Sequence, residues 1–424
     1  MTRPSDPRRR PFVPFRAPRP LLHRIGTLAF SGSEILEEYA GIAGFVLWQS
    51  FRDVELSATA SLGEELFHRL TVDRRSLIDE LEERFTPVKP PLLLICELTA
   101  AEAPAAAEIA AGCDLIADWS EQQSRLATAS EYAQMASLTD PKKAMYAVRA
   151  ARTLRMRAEW ARAWSWFDHA IFLARRSGDW NAYSLACVSL GYLYLERGNF
   201  PKARQVLKRA LRAALRHHLV EQAGAAYHNL FVLEASSGHW DAAESCVVKA
   251  LKAYPSGSRF RPRLARDLEY RFIQRGYFGR ALPLAQEVLE HFTAPAERAL
   301  VWSDIARAAA GAGNLEVFER AWTQAFFPVE EGLTEPFTIA ILLNLAHGAA
   351  FRGEAARASV PARQAMELAR ARQEGQSVLE AEALLDSLRS VRSEPAPAPD
   401  HPSRATDAVT EVFLRTLQQD RAAA

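Results

Sequence analysis

Apolar residues recur with helical spacing along most of the chain. Ile78, Leu81 and Phe85, for example, are spaced i, i+3 and i+7, which places them on one face of a helix. No run of alternating apolar and polar residues bounded by turn residues is convincing. Leu92 to Ile95 would suit a strand by itself, but it continues into an alanine-rich helical stretch. The pattern predicts an all-α chain.

The helical pattern repeats at intervals of 37 to 40 residues, and a glycine marks each unit. The repeat glycines are Gly198, Gly238, Gly276, Gly313 and Gly353, and Ala158 takes the same place one unit earlier. Glycine adopts a left-handed backbone conformation at little cost because it has no Cβ. We therefore expect each of these residues to end the first helix of a helix pair.

Three further columns of residues keep a fixed distance from the repeat glycines. Two residues after the glycine the chain has Trp160, Phe200, Trp240, Phe278 and Leu315, with Ala355 as the exception. Five residues after it come Ala163, Ala203, Ala243, Ala281 and Ala358, with Phe318 as the exception. Twelve residues after it come Ala170, Ala210, Ala250, Ala325 and Ala365, with Val288 as the exception. The alanines predict close approach of the two helices, and stacking of successive pairs would supply the core.

This pattern resembles the tetratricopeptide repeat. Leu190, Gly191, Tyr194, Ala203, Leu207 and Ala210 match the family's columns of small, large and aromatic residues. Phe231 and Glu234 depart from the pattern, and the units exceed the usual length of about 34 residues, as in the long arrays of bacterial regulatory and signalling proteins. The resemblance covers about residues 119–390. It implies a right-handed α-solenoid whose concave groove is lined by the first helices and binds a protein or peptide.

Proline-rich segments divide the rest of the chain. Residues 1–20 contain six prolines and six arginines, which predicts a disordered basic arm. Residues 21–118 form an acidic helical N-terminal region of unknown type, and residues 391–405 form a proline-rich linker. A short amphipathic helix is expected at 406–419, with Val409, Phe413 and Leu417 on one face. We expect this helix to dock in the groove of its own chain or of a partner.

Charge is strongly partitioned although the 424 residues carry a net charge of only +1. Residues 21–141 carry −12 and residues 142–216 carry +12. The opposite signs predict an intramolecular contact between these two segments. Alternatively, the basic block is a solvated outer face or an anion-binding surface. A nucleic-acid partner is disfavoured, because the second helix of the best helix-turn-helix candidate, Ser61 to Phe85, is rich in carboxylates.

Motifs for chemistry are missing from the sequence. It has no phosphate-binding loop, no zinc-protease motif and no nucleophile elbow, so we expect no enzymatic activity, no cofactor and no metal. The four cysteines are scattered and no signal-peptide pattern is present, which predicts a cytoplasmic protein. The longest uncharged runs have 16 residues, too short for a membrane span.

The resemblance to the tetratricopeptide repeat also implies which side chains face the groove. These are Arg152, Arg155, Tyr192, Glu196, His228, Asn229, Arg263, Arg266, Tyr270 and Arg307. The sharpest hypothesis is that the two arginine pairs bind an acidic segment, with the tyrosines as aromatic anchors. The alternative is that the arginines pair with carboxylates on their own helix, as Arg263 could with Asp267, or merely keep the face soluble.

The sequence therefore predicts a non-enzymatic scaffold or adaptor that binds a protein or peptide. The alternative is a regulatory protein of transcription or signal transduction, in which the array senses a ligand and the N-terminal region is the effector. An enzyme with an unrecognised site in the N-terminal region is a weaker third hypothesis.

Overall fold

The computed structural model describes residues 34–59, 74–99, 105–332, 334, 336–372, 374–389 and 404–423. The predicted basic arm at 1–20, most of the linker at 391–405 and part of the helix-turn-helix candidate lie outside these residues. Throughout the described ranges the regular structure is helical, with no strand. The prediction of an all-α chain of paired helices is confirmed.

The chain divides into two compact units. The first comprises residues 1–155 and 159–182, and the second comprises residues 156–158 and 183–424. The described part of the first unit begins with α1 (Glu34–Glu38), α2 (Gly41–Thr59), a helical stretch α3 that includes residues 74–79, and a 3₁₀ helix (Glu83–Val88). It continues with α4 (Lys89–Thr99), α5 (Ala106–Gln122), α6 (Leu126–Thr139), α7 (Ala144–Met156) and α8 (Trp160–Ser177).

The second unit is an array of consecutive helix pairs. Its helices are α9 (Trp180–Glu196), α10 (Phe200–Arg216), α11 (Val220–Ser236), α12 (Trp240–Ala253), α13 (Phe260–Gln274), α14 (Phe278–Leu289), α15 (Pro295–Gly311), α16 (Leu315–Glu330), α17 (Thr338–Phe351), α18 (Ala355–Ala371), α19 (Gly375–Arg389) and α20 (Arg404–Ala422). The odd-numbered members from α9 to α19 are the first helices of the repeats. Those from α11 to α19 pack against the second helix that follows or precedes them, and Gly191 of α9 lies against Leu207 of α10.

The turn inside each pair has the predicted left-handed residue. The repeat glycines have φ angles between 68° and 78°, and Ala158 has a φ of 60°. The alanine columns are also as expected: all members of the columns five and twelve residues after the glycine, including Phe318 and Val288, have 0% exposure. Small side chains at these positions let the helices of a pair approach closely. The repeat register is confirmed.

The two departures from the family pattern are accommodated in different ways. Phe231 is fully buried in the core of the second unit. Glu234 accepts two hydrogen bonds from Arg204 of α10, at 2.8 and 2.7 Å, and one contact from His239 at 2.9 Å. An ion pair between helices thus takes the place of an aromatic contact.

The acidic and basic segments of the sequence meet inside the first unit. Arg149 of α7 contacts Asp114 at 2.7 Å, Asp118 at 2.6 Å and Glu121 at 3.5 Å, all three on α5. Burial and these carboxylates act in opposite directions on the pKa of Arg149, and the carboxylates raise it. The contact between residues 21–141 and 142–216 therefore exists within one packed unit.

The C-terminal helix α20 packs against α12, α13 and α14. Phe413 and Leu417 are fully buried in the core of the second unit, whereas Val409 lies at the edge of the contact. Because α12 and α14 are second helices, α20 does not lie on the surface formed by the first helices alone. This placement differs from docking in the predicted groove. No helix of the described ranges is both long and apolar enough to span a membrane.

Candidate functional site

A row of polar side chains crosses five consecutive first helices of the second unit. We call it the first-helix ladder, and it consists of His228 on α11, Arg266 and Asp267 on α13, Asp304 and Arg307 on α15, Asn344 and His347 on α17, and Glu380 on α19. Each rung joins one repeat to the next. The repeat spacing positions these residues, because equivalent positions of stacked pairs come to lie side by side.

The first rung joins α11 to α13. The Nε2 atom of His228 donates to Oδ2 of Asp267 at 2.9 Å, and its Nδ1 atom lies 3.3 Å from the hydroxyl of Tyr254. Burial alone would raise the pKa of Asp267, but the hydrogen bond from His228 and the charge of Arg266 lower it below its usual value. Asp267 is therefore an anion held in a fixed position.

The central rungs join α13, α15 and α17. Arg266 donates through Nε to Asp304 Oδ2 at 2.9 Å, and Asn344 Nδ2 donates to Asp304 Oδ1 at 2.6 Å and to the hydroxyl of Ser303 at 3.2 Å. Asn344 in turn accepts from Nη1 of Arg307 at 3.1 Å. Asp304 is fully buried and Asn344 nearly so. This network fixes the side-chain conformations over three repeats.

A second buried carboxyl group lies beside the central rungs. Glu269 is fully buried, and its carboxylate oxygens have no donor among the described residues. Burial, together with the negative charge of Asp304, raises the pKa of Glu269 well above its usual value. Burial therefore favours the neutral form of the Glu269 carboxyl group.

The last rung joins α17 to α19. His347 Nε2 lies 3.0 Å from Glu380 Oε1. Burial and the nearby charge of Arg307 lower the pKa of His347, although Glu380 acts in the opposite direction. Burial would raise the pKa of Glu380, but the hydrogen bond and charge of His347 together with the charge of Arg307 lower it below its usual value. His347 is thus neutral and Glu380 charged at neutral pH.

Arg307 has the most unusual environment of the ladder. Its side chain is only 7% exposed, and its Nε atom has no hydrogen-bond partner among the described residues. Within the same ranges the guanidinium makes a single hydrogen bond, to Asn344. A guanidinium can donate up to five hydrogen bonds, and its buried Nε–H is the donor left without an acceptor among the described residues. The positive charge of Arg307 also reaches Tyr270 and His347.

Several of the residues predicted to face the groove belong to this ladder or flank it. Arg263 is 44% exposed and pairs with Glu297 of the next first helix at 2.6 Å. The ring of half-buried Tyr270 lies 5.9 Å from the Arg266 guanidinium carbon. Asn229 instead bonds within its own helix, to the carbonyl of Ala225 at 2.9 Å. Arg263 and Arg266 therefore pair mainly with carboxylates of the next repeat, Glu297 and Asp304.

The remaining predicted residues lie on α7 and α9. In the first unit, Arg152 is 46% exposed and contacts Glu121 at 3.4 Å, and Arg155 is half-buried near the end of the same helix. On α9, Tyr192 is 37% exposed, and Glu196 is an exposed residue at the helix end. These four residues do not contribute to the ladder.

The sequence interpretation missed the carboxylates and amides that hold the ladder together. Asp267, Asp304 and Asn344 each lie nine residues before a repeat glycine, and Asn229 has the same position one repeat earlier. A polar column at this position was therefore detectable in the sequence. Glu269 carried no such signal, since its position is occupied by Gly191, Phe231 or alanine in the other repeats.

The ladder offers fixed donors and acceptors but no catalytic arrangement. Among the described residues no group of three His, Cys, Asp or Glu side chains could hold a metal ion. The buried Nε–H of Arg307 can donate to a carboxylate or a peptide carbonyl.

The chain is similar, at low sequence identity, to several solved structures. No family model and no curated protein matches the sequence. A Rap protein complexed with competence and sporulation factor is 12% identical, with a TM-score of 0.47, over 82% of this chain and 97% of the other. The Rap conjugation gene regulator of plasmid pLS20, in complex with the Phr* peptide, is 12% identical, with a TM-score of 0.49, over 84% and 99%. The TPR2AB domain of yeast Sti1 in complex with pHSP90 is 17% identical, with a TM-score of 0.26, over 66% and 98%. The chain is a tetratricopeptide-like helical-repeat protein.

Proposed function

We propose that the protein binds a peptide or protein segment on the first-helix ladder, as a non-enzymatic scaffold or adaptor of the cytoplasm. The observation that supports this most is the unused hydrogen-bonding capacity of Arg307. A buried guanidinium without sufficient acceptors is costly, by about 1–3 kcal/mol for each unsatisfied group. A ligand carboxylate or backbone carbonyl placed against Arg307 would remove this cost.

The rest of the ladder supports the same proposal. Networks of buried polar groups contribute little net stability compared with apolar packing, so stability alone does not explain a polar row over five repeats. Their cross-repeat hydrogen bonds hold the side chains in place before a ligand arrives, which reduces the entropy lost on binding. Exposed Arg263 and half-buried Tyr270 would extend the contact along α13.

The experiment is site-specific photocrosslinking in native lysate. A photoreactive amino acid replaces Tyr270, and the control protein carries it at Phe327, which is 59% exposed on the second helix α16. The proposal predicts a crosslinked partner at position 270 that is absent at 327. Arg307→Gln should then weaken binding of the identified segment by at least about tenfold, with an unchanged circular dichroism spectrum. Equal crosslinking at both positions, or full affinity of the variant, contradicts it.

The hypothesis of an acidic ligand at Arg152 and Arg155 is tested separately. Both residues lie on α7, three positions apart, and Arg152 keeps much of its surface exposed while it contacts Glu121. We expect charge reversal of both residues to abolish binding of an acidic segment. Binding that survives the reversal, in a protein that remains folded, removes this assignment.

A regulatory function with the N-terminal region as effector is the second candidate. The division of the chain into two compact units favours this regulatory function, since a ligand sensor and an effector require separate structural units. Deletion of the first unit should then abolish the cellular response while the second unit still binds the ligand. Loss of ligand binding in this deletion variant would argue against the division of roles.

A further inference from the structure

Helix α20 is held on the second unit by one stripe of its surface. The buried residues of the helix are Thr406, Thr410, Phe413, Leu417 and Asp420. Their spacing of three or four residues brings them onto a single face, and the opposite face is exposed. This helix therefore has one binding face, with two apolar residues at its centre and a carboxylate near its end.

The contacts at the two ends show that α20 lies parallel to α12 and α14. Near its start, Thr406 donates to Glu244 of α12 at 2.8 Å, and Asp407 pairs with Arg280 of α14. Near its end, Arg421 lies 3.5 Å from Glu287 of α14. The helix thus occupies the groove between two second helices, and Phe413 and Leu417 fill its apolar floor.

A built carboxylate site closes one end of this groove. Asp420 accepts from the hydroxyl of Ser256 at 2.8 Å, from the backbone nitrogen of Gly257 at 3.1 Å, and from Nη1 of Arg261 at 3.0 Å to each oxygen. Arg261 is itself fixed, because its Nε and Nη2 atoms donate to the carbonyl of Tyr254 at 3.1 and 2.9 Å. The turn between α12 and α13 therefore presents its donors before any carboxylate arrives.

All tertiary hydrogen bonds and ion pairs described for α20 involve its side chains. The backbone groups of a helix form hydrogen bonds within the helix itself. Helix α20 can therefore leave the groove or be replaced without breaking backbone hydrogen bonds to α12, α13 or α14. The residues that α20 contacts lie between positions 244 and 287, far in sequence from α19 (Gly375–Arg389), the helix that precedes α20. Neither the groove nor its carboxylate site depends on the covalent connection to α20.

We propose that the groove between α12 and α14, with its carboxylate site at Ser256, Gly257 and Arg261, is a docking site for an amphipathic helix, and that α20 is its ligand in cis. The partner helix that fits has large apolar residues four positions apart and an aspartate three positions after the second. A protein with a helix of this pattern binds the second unit by replacing α20. This surface is distinct from the first-helix ladder, and the inference does not rest on the function proposed for the ladder.

The test uses a fluorescent peptide of residues 404–423 and the full-length chain. In the double variant Phe413→Ala, Leu417→Ala the chain's own helix docks weakly, so the groove becomes available. We expect saturable binding of the peptide in fluorescence anisotropy, at least about tenfold tighter than to the wild-type chain, whose groove is occupied. A peptide with Asp420→Asn should bind at least about tenfold more weakly.

Matched controls separate the site from general charge effects. The peptide variant Glu411→Gln changes a carboxylate on the exposed face and should bind with unchanged affinity. On the receptor, Arg259→Ala removes an exposed cation two positions from Arg261 and should also have no effect. Equal affinity of the Asp420→Asn peptide, or absence of peptide binding to the folded double variant, would overturn the proposal.

A second measurement covers the case in which the double variant does not fold. Wild-type protein is mixed with a large excess of unlabelled peptide, and amide hydrogen exchange is followed along the chain. Replacement of α20 predicts faster exchange in residues 404–422 and unchanged exchange in α12 and α14, which remain covered. The Asp420→Asn peptide is the control and should leave the exchange of residues 404–422 unchanged. If saturating wild-type peptide also leaves it unchanged, α20 is not exchangeable.

Discussion

Ala158 occupies the turn position that is glycine in five later repeats, and its φ of 60° is left-handed. The left-handed conformation costs an alanine roughly 1–2 kcal/mol, whereas glycine loses more chain entropy on folding. We expect Ala158→Gly to stabilise the protein by about 0.5–1 kcal/mol, measured as a higher midpoint of urea unfolding. Ala213→Gly in the interior of α10 is the control and should be destabilising by about 1 kcal/mol. A lower midpoint for Ala158→Gly would contradict the argument.

His169 should make the stability depend on pH. Burial lowers its pKa from 6.5 to about 4, and its ring meets that of Trp166 at 5.7 Å. The unfolded chain therefore binds a proton between these two pH values that the folded chain does not bind. The stabilising contribution is complete above pH 6.5 and is lost as the pH falls towards about 4.

This prediction is checked by thermal unfolding of wild-type protein and His169→Phe between pH 7 and pH 4. We expect the melting temperature of the variant to fall less steeply in this range. The control His218→Asn keeps a residue that tolerates the left-handed turn and should follow the wild-type profile. Parallel profiles for wild type and His169→Phe would show that His169 is not the titrating group.

At the level of elements, Arg204 and Glu234 join α10 to α11 by two hydrogen bonds. The hydrogen bond from Arg204 is the main cause of the lowered pKa of Glu234. The contribution of this ion pair to folding stability is therefore fully present above the ordinary carboxylate pKa. It is lost as the pH falls through the lowered pKa of Glu234 in the folded protein. We expect a double-mutant cycle with alanine at both positions to give a coupling of about 1 kcal/mol at pH 7. The coupling should disappear in acid, and a value near zero at pH 7 would mean that the pair contributes nothing.

The sequence predicted the helices and their register because each repeat depends on local rules. A left-handed turn, two alanine columns and an apolar face recur within every unit, so one repeat tests the interpretation of the next. The partners of Arg266 and Arg307 were not predicted, since they come from the following repeat and not from the same helix. The polar column nine residues before each glycine contained this information, but matching it to the arginines requires the stacking geometry. Asp420 and Arg261 are 159 positions apart, and no periodicity relates them.

At the level of the whole molecule, α20 fastens the end of the chain to helices near its middle. Deletion of residues 404–424 exposes the apolar floor of the groove and leaves Arg261 without its carboxylate. We expect faster amide exchange in α12, α13 and α14, and no change in the first unit, whose described helices make none of these contacts. Uniform acceleration along the chain would instead indicate global destabilisation, and the Glu411→Gln full-length protein serves as the unaffected reference.

The placement of α20 also has a consequence for the chain while it is being made. Its groove is complete once residue 289 has left the ribosome, but the helix that covers it begins only at residue 404. At about 5–20 residues per second, the apolar floor stays uncovered for on the order of ten seconds. During that interval a nascent chain presents the same surface that we assign to a partner helix, so a cotranslational partner or chaperone would reach the groove before α20 does.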